Sequence, residues 1–270
     1  MKIILNSKEL KKELKNNPNL GFIPTMGSIH KGHEKLILQS KKRCKKTLIS
    51  IFVNPTQFNN KKDFKNYPKN IKKDLLLLKK LNIDYVFIPT VKDIYSFKRV
   101  KKIKLNKKDL ILCAKFRKGH FEGVLDIMDR LTNLISPRKI FMGEKDFQQY
   151  YLVKKFIENK YKTKVILCNT VRSNNKVAFS SRNLLLNKKN FFQAGKIIRE
   201  LIKFKKIYFR TKKINQRLVY KKKDLIKKYN IKIEYLETRN IKNLNKSNTF
   251  KNSKIFFAYY LNKVRLIDNL

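Results

Sequence analysis

The sequence is poor in cysteine, glycine, histidine and tryptophan. Of its 270 residues, three are Cys, three are His, seven are Gly and none is Trp. Three scattered cysteines exclude a disulfide framework and a CxxC metal site. No apolar run approaches the roughly 20 residues that a membrane helix needs, and the apolar stretch at residues 1–6 is too short for a signal peptide. We therefore expect a cytoplasmic globular protein of one or two domains.

Acidic residues are also scarce, because 19 Asp and Glu stand against 67 Lys and Arg, which gives a net charge of +48. Such a charge suits a nucleic-acid partner. The basic residues, however, are spread along the whole chain, and no uninterrupted basic run is longer than three. Lys outnumbers Arg, although Arg reads bases better. We interpret the charge as a composition bias and predict neither a nucleic-acid partner nor a membrane partner.

Apolar segments alternate in length and pattern through the first two thirds of the chain, which predicts alternating strands and helices. The predicted strands are residues 20–24, 47–53, 84–89, 139–142 and 163–167, and the predicted helices run to 38 and over 71–81, 123–135 and 147–159. This alternation is typical of α/β proteins with a Rossmann-like, doubly wound parallel sheet.

The pattern changes after about residue 183. A lysine-rich helical stretch at 190–229 precedes apolar segments at 231–236, 255–260 and 264–267, which predicts a smaller C-terminal α+β domain. We place the two domains at residues 1–175 and 176–270.

Most of the few glycines and histidines cluster around residues 21–33, 119–123 and 143, whereas an unconstrained chain would scatter them. The segment 24–33, PTMGSIHKGH, lies between a predicted strand and a predicted helix. Glycines let a backbone approach a phosphate, and a helix N-terminus offers N–H groups to it. His30 and His33 share one face of the first turn and suit hydrogen bonds to phosphate oxygens. A metal pair would need a third ligand, and the remaining histidine is His120.

Three other polar segments also carry candidate site residues. Asn54 and Gln57 follow the strand at 47–53, and their amides suit hydroxyls and carboxylates. Lys145, in the segment GEKDFQQ, can hold a triphosphate as a point charge, with a neighbouring carboxylate orienting it or a metal. Residues 171–172 and 179–183 combine hydroxyls and guanidinium groups into a possible phosphate clamp. Each segment taken alone also fits a plain turn, a solvated charge run or a helix cap.

Together, the segments PTMG with HxGH, SIFVNPTQF, GEKDFQQ, SSRN and the C-terminal VRLIDN resemble the pantoate–β-alanine ligases, which are members of the HxGH nucleotidyltransferase superfamily. The resemblance covers nearly the whole chain. It implies ATP-dependent condensation of pantoate with β-alanine to pantothenate through a pantoyl adenylate, with release of AMP and pyrophosphate. It further implies Mg²⁺ accompanying ATP, a homodimer, and a C-terminal domain that acts as a lid.

The resemblance also implies roles for single residues. His30, His33 and Lys145 would be catalytic, with His33 at the position usually assigned as proton donor. Gln57 would meet both pantoate and β-alanine, Asn54 would lie beside them, and Gln149 would hold pantoate. No protein residue is assigned to the metal. The implied ATP-binding residues are Met26, Gly27, Ser28, Ile29, His30, Lys31, Gly32, His33, Gly143, Glu144, Lys145, Asp146, Val171, Phe179, Ser180, Ser181 and Arg182.

The chain departs from the family pattern at three places. Lys118 stands where Pro is usual, Ala114 where Gly is frequent, and Asn175-Lys176 where Asp-Gly is common. One alternative is another HxGH transferase that stops after nucleotide transfer, although the amides favour a small carboxylate acceptor. The other is a nucleic-acid-binding protein in which Phe204, Tyr208 and Phe209 stack on bases.

Overall fold

A computed structural model describes residues 1–15, 17–59, 61–96 and 103–270. The chain divides into two compact units, Met1–Asn169 and Thr170–Leu270. The boundary predicted after residue 175 differs from this division, because residues 170–175 belong to the second unit. Within the described ranges, no helix has the length and apolar character needed to cross a membrane.

The first unit is built on a six-stranded parallel sheet in the order β1-β4-β3-β2-β5-β6, which confirms the predicted doubly wound fold. The strands are β1 Lys2–Ile4, β2 Leu20–Thr25, β3 Lys46–Ile51, β4 Tyr85–Phe87, β5 Lys139–Gly143 and β6 Lys164–Cys168. The edge strand β1 pairs with β4 and was not predicted, because three residues give too short a pattern to separate a strand from a loop.

Helices connect these strands. They are α1 Ser7–Leu14, α2 Lys31–Arg43, α3 Lys61–Lys65, α4 Ile71–Lys80, α5 Val91–Tyr95, α6 Cys113–Phe116, α7 His120–Ile135 and α8 Phe147–Lys160. The predicted helices at 71–81, 123–135 and 147–159 are confirmed as α4, α7 and α8. Helix α7 starts at His120 because Gly119, with φ 78°, turns the chain into it.

The strand order reverses at β2, which lies between β3 and β5. The chain proceeds from β2 to β3 and β4 on one side, and later adds β5 and β6 on the other side. Residues 47–51 of β3 are all buried, as expected for a strand covered on both faces. The crevice at the carboxyl ends of β2 and β5 is therefore the topological switch point, where doubly wound sheets bind ligands.

The second unit packs two helices on a three-stranded antiparallel sheet, which confirms the predicted α+β fold. Its elements are α9 Lys188–Ile207, α10 Ile214–Tyr229, β7 Lys232–Asn240, β8 Ser253–Leu261 and β9 Val264–Asn269. The predicted helical stretch at 190–229 is thus two helices, because residues 208–213 interrupt the apolar pattern. Phe204 is buried in the core of this unit, so its ring is not offered to bases.

A tight turn at residues 173–177 carries a strained lysine. Lys176 has φ 74°, although a side chain in the left-handed region costs about 1–2 kcal/mol. The Lys176 N–H donates to the Ser173 carbonyl at 2.8 Å, and the Asn175 amide donates to the Phe191 carbonyl on α9 at 3.0 Å. These contacts hold the turn in a conformation that a glycine at position 176 would adopt without strain.

Lys176→Gly should therefore stabilise the protein by about 0.5–1 kcal/mol, because Gly takes a positive φ without a steric cost. Lys176→Ala removes the same charge but keeps Cβ, so it should leave the free energy of unfolding nearly unchanged. Denaturant unfolding of both variants measures the difference. Equal stability of the two variants would contradict the strain at this turn.

Candidate active site

The loop after β2 makes a sharp turn before helix α2. Gly27 and Ser28 both have positive φ, 82° and 55°. The N–H groups of Ser28 and Ile29 donate to the two carboxylate oxygens of Asp74, each at 2.7 Å. Asp74 lies on α4 and was not predicted as a site residue, since nothing in its own neighbourhood of the sequence shows that it reaches this loop.

His30 and His33 are fixed by the start of α2. His30 is the N-cap, and its Nδ1 accepts from the Gly32 N–H at 3.1 Å. His33 Nδ1 accepts from the His30 N–H at 3.4 Å. The two rings stack with their centroids 4.0 Å apart. Because Nδ1 accepts in each neutral ring, Nε2 carries the proton, and both imidazoles are hydrogen-bond donors at Nε2.

Both histidines resist protonation. Burial, together with a smaller effect of the Lys145 ammonium, lowers the pKa of His30 to about 4, although Asp146 partly opposes the change. Burial, His30 and Lys145 together lower the pKa of His33 well below its ordinary value. The protein therefore holds two neutral imidazoles beside a lysine at neutral pH.

The loop after β5 supplies that lysine. Residues Glu144–Asp146 form one 3₁₀ turn between β5 and α8. Lys145 Nζ contacts the Asp146 carboxylate at 3.1 and 3.3 Å. Strands β2 and β5 are parallel neighbours, so the loops that follow them leave the same edge of the sheet side by side at the switch point. The charge of Lys145 acts there on both histidines. The predicted residues of the first unit, 26–33 and 143–146, thus lie at one edge of the sheet.

The loop after β3 places Asn54 at the centre of a hydrogen-bond network. Its Oδ1 accepts from Thr56 N and Oγ1 at 3.3 and 3.1 Å and from the Tyr95 hydroxyl at 2.7 Å. Its Nδ2 donates to Gln57 Oε1 at 3.3 Å and to the Gly123 carbonyl at 3.1 Å. Asn54 is 1 % exposed. The hydrogen bonds of this amide are made within the protein, and its contact with Gln57 orients that side chain.

Gln57 bridges the loops after β2 and β3. Its Nε2 donates to Met26 Sδ at 2.8 Å, and its backbone carbonyl lies 2.7 Å from His120 Nδ1. A Cβ on Gly123 would lie 2.5 Å from the Thr56 carbonyl oxygen, so only Gly lets α7 approach this loop. Tyr95, His120 and Gly123 thus support Gln57. The clustering of Gly and His at 119–123 was the sequence signal for two of them.

The two glutamines at the start of α8 have different surroundings. Gln148 is buried, accepts from the Cys113 N–H at 3.0 Å and donates to the Ile111 carbonyl at 2.7 Å. Gln149 is partly exposed, and its side chain makes no hydrogen bond within the described ranges. Gln148 is therefore a structural tie, and Gln149 has the amide that is available to a ligand.

The remaining predicted residues lie in the second unit. The Phe179 N–H donates to the Val171 carbonyl at 3.0 Å. Ser180 caps the 3₁₀ turn Ser181–Leu185 by accepting from the Arg182 N–H at 3.3 Å. This is the helix cap that was predicted as the alternative for this segment. Upstream, Arg172 makes a two-pronged ion pair with the buried Asp268 at 2.7 and 2.8 Å. The pair ties this segment to β9.

The donor set at the switch point suits phosphate better than a metal ion. Imidazole N–H groups and an ammonium donate hydrogen bonds, whereas Mg²⁺ requires oxygen ligands. Among the described residues, no three His, Cys, Asp or Glu side chains are grouped to hold a metal ion.

Comparison with known proteins gives the family. The family model for pantoate–β-alanine ligase matches residues 2–270. The chain belongs to the pantoate–β-alanine ligase family. It is a ligase enzyme. It is 37% identical over 267 residues to the pantothenate synthetase of Flavobacterium psychrophilum, covering 97% of this chain and 94% of that relative.

Solved structures agree with this assignment. The pantothenate synthetase of Thermus thermophilus superposes with a TM-score of 0.93 at 27% identity, over 100% of this chain and 99% of that one. The pantoate–β-alanine ligase of Francisella tularensis, solved in complex with beta-gamma ATP and β-alanine, gives a TM-score of 0.84 at 34% identity, over 100% and 97%. The resemblance drawn from the sequence motifs is confirmed.

The low pKa of His30 predicts a distinct titration in the ligand-free enzyme. With only three histidines, an NMR pH titration should show the His30 ring titrating at about 4. The unfolded chain binds this proton near 6.5, so stability should rise as pH increases between about 4 and 6.5. His30→Gln should reduce the slope of that part of the profile and leave the contribution of His33. A His30 resonance that titrates near 6.5 would show that the ring is not desolvated.

The Tyr95 hydroxyl should act on pantoate through Asn54 and Gln57. Tyr95→Phe should raise KM for pantoate about fivefold, since a hydrogen bond contributes about 1 kcal/mol. Tyr161→Phe is the matched control, because its hydroxyl donates to Asp129 at 2.8 Å near the amino end of β6. Steady-state kinetics should show a change in KM for Tyr95→Phe only. Equal effects of the two changes on KM would show that the Tyr95 hydroxyl has no specific role in pantoate binding.

Proposed function

We propose that this enzyme condenses pantoate with β-alanine in two steps, through a pantoyl adenylate, and releases pyrophosphate and AMP. The observation that carries the proposal is the convergence of His30, His33 and Lys145 at the switch point, with the amides Asn54 and Gln57 after the neighbouring strand. Phosphate-binding donors and the substrate-binding amide of Gln57, which Asn54 orients, then share one edge of the sheet.

In the first step, a pantoate carboxylate oxygen attacks the α-phosphorus of ATP, and the bond from that phosphorus to the β-phosphate bridging oxygen breaks. The nucleophile is already anionic, so the step needs positioning and charge neutralisation rather than a protein nucleophile. The Nε2–H groups of His30 and His33 donate to phosphate oxygens, with His33 toward the leaving pyrophosphate. Lys145 contributes the fixed positive charge.

In the second step, the neutral amine of β-alanine attacks the acyl carbon of the adenylate. The bond from that carbon to the AMP oxygen breaks, AMP leaves as the anion, and the amine proton passes to solvent. Gln57 Nε2, whose present acceptor is the weak thioether of Met26, is the donor that binds the substrates. Gln149 holds pantoate, while Asn54 acts beside them by orienting Gln57.

Water must be kept from the acyl adenylate until the amine arrives, because this mixed anhydride hydrolyses readily. We assign that task to the second unit acting as a lid. Its contribution to the nucleotide site would come from Val171, Phe179, Ser180, Ser181 and Arg182, where hydroxyls and a guanidinium suit phosphate oxygens. The first unit would contribute residues 26–33 and 143–146.

The relatives support the substrates. The Francisella tularensis enzyme was solved with beta-gamma ATP and β-alanine, and we extend both ligands to this chain at 34% identity. ATP enters as its Mg²⁺ complex, so the metal arrives with the substrate. A homodimer and a cytoplasmic location complete the proposal, and three buried cysteines that carry thiols suit a reducing compartment.

The decisive experiment is ATP–pyrophosphate exchange in the presence of Mg²⁺ and the absence of β-alanine. Exchange should require pantoate, and adding β-alanine should then yield pantothenate and AMP in equal amounts. No exchange from the folded enzyme would contradict the adenylate step. Exchange with a phosphate ester in place of pantoate would indicate a nucleotidyltransferase, and salt-sensitive RNA retention without turnover would indicate the nucleic-acid alternative.

Lys145→Ala should lower the exchange rate by about 100-fold or more, because a positioned charge in a dry site strongly stabilises a developing phosphate charge. Lys139→Ala is the matched control, since Lys139 lies at the amino end of β5, away from the turn that carries Lys145, and within the described ranges its Nζ donates to the Arg43 carbonyl at 3.2 Å. Both variants lose one positive charge. Equal losses would indicate a general charge effect instead of a site at the switch point.

A further inference from the structure

We propose that Asp74 is a positioning residue for ATP. Its carboxylate accepts hydrogen bonds from backbone N–H groups of the nucleotide loop, so that side chains, and not these N–H groups, bind the phosphates. The inference rests on the proposed function, because it takes residues 26–33 as the nucleotide loop. It adds a residue outside every motif of the sequence analysis.

The contact is short, two-pronged and buried. Asp74 Oδ2 accepts from the Ser28 N–H and Oδ1 accepts from the Ile29 N–H, both at 2.7 Å. Asp74 lies in the first turn of α4 and is 3 % exposed. Hydrogen bonds to a charged acceptor at this distance are about twice as strong as neutral ones. The carboxylate therefore anchors a loop that lies 45 residues away along the chain.

The loop needs such an anchor because of its backbone conformation. Gly27 and Ser28 have φ of 82° and 55°, and a serine there costs energy that the surroundings must offset. Successive N–H groups in such a turn point the same way and form a concave anion site. A Cβ at Gly27 would lie 3.0 Å from Asp74 Oδ2, so Gly leaves room for the carboxylate. Asp74 fills this anion site from within the protein.

The consequence concerns how ATP is held. The Gly27 N–H donates to Thr25 Oγ1 at 3.2 Å, and those of Ser28 and Ile29 donate to Asp74. The three N–H groups that directly precede His30, those of residues 27–29, are thus accepted by protein side chains. The sequence alone suggested a backbone cradle for phosphate at this place. The N–H groups of residues 27–29 are therefore not offered to phosphate. In this proposal the side chains of His30, His33 and Lys145 bind the phosphates, and Asp74 holds the loop that leads into the first two.

The test compares Asp74→Asn with Asp84→Asn. Asparagine keeps the size of Asp74 and one acceptor oxygen, but it turns an amide N–H₂ toward one of the loop donors. Asp84 is the matched control, because its Oδ2 also accepts a backbone N–H, from Thr47 at 2.9 Å, and its Oδ1 accepts from Lys46 Nζ at 2.8 Å. Those contacts lie at the amino ends of β3 and β4, at the sheet edge opposite to the site.

Asp74→Asn should lower kcat/KM for ATP by roughly tenfold or more while KM for pantoate changes less than about twofold. Asp84→Asn should lose stability without a change in either parameter. Equal kinetics of Asp74→Asn and the wild-type enzyme would overturn the inference, and so would losses in ATP and pantoate parameters of the same size. If Asp74→Asn fails to fold, the comparison is made in a Ser28→Gly background, which removes the strain at φ 55°.

A second readout does not depend on turnover. In the wild-type enzyme, amide hydrogen exchange at Ser28 and Ile29 should be slow both without ATP and with MgATP, and it should accelerate in Asp74→Asn. Release of these two amides from Asp74 when MgATP binds, seen as a large shift of both resonances, would mean that phosphate displaces the carboxylate and would refute the inference. Absence of pantoate-dependent exchange in the wild-type enzyme would instead count against the proposed function alone.

Discussion

The reversal of strand order at β2 is the constraint on which the rest of the first unit depends. Because β3 and β5 lie on opposite sides of β2, the loops that follow these three strands emerge at one edge of the sheet and diverge into a crevice. The histidines come from the first loop, the amides from the second and Lys145 from the third. No helix or strand carries the whole site, so its geometry is set by parallel pairing and by contacts that tie each loop down.

Desolvation gives this crevice its chemical character. Burial and Lys145 keep His30 and His33 neutral, so the ligand-free enzyme does not gather two imidazolium ions beside an ammonium. In the proposed mechanism, an incoming triphosphate supplies the opposite charge, which favours the protonated form of both rings. The hydrogen-bond donors are in place before ATP binds.

The sequence predicted the sheet and the motif loops because both leave local signals. Strands β2 and β3 are continuous apolar runs, and glycine and histidine are rare enough in this chain for their clusters to stand out. Contacts between distant segments left no such signal. Asp74 reaches Ser28, and Tyr95 reaches Asn54, across 46 and 41 residues. The short strand β1 and the break between α9 and α10 were missed because each depends on a few residues whose tertiary neighbours decide their conformation.

Scarcity is informative for acidic residues as well as for glycine and histidine. In a chain with 67 basic and 19 acidic residues, the described structure uses several of its carboxylates for specific ties. Asp268 holds Arg172, and Asp129 binds both Lys160 and Tyr161. Burial alone would raise the pKa of Glu200, but hydrogen bonds from Lys221, Lys228 and Tyr229 outweigh it and lower this pKa to about 2.

Surface lysines cost little to accumulate, whereas a carboxylate that accepts defined hydrogen bonds cannot drift to Lys or Asn without leaving a donor unpaired. The same reasoning favours Asp74 as a functional tie rather than as a residue that the composition bias happened to spare.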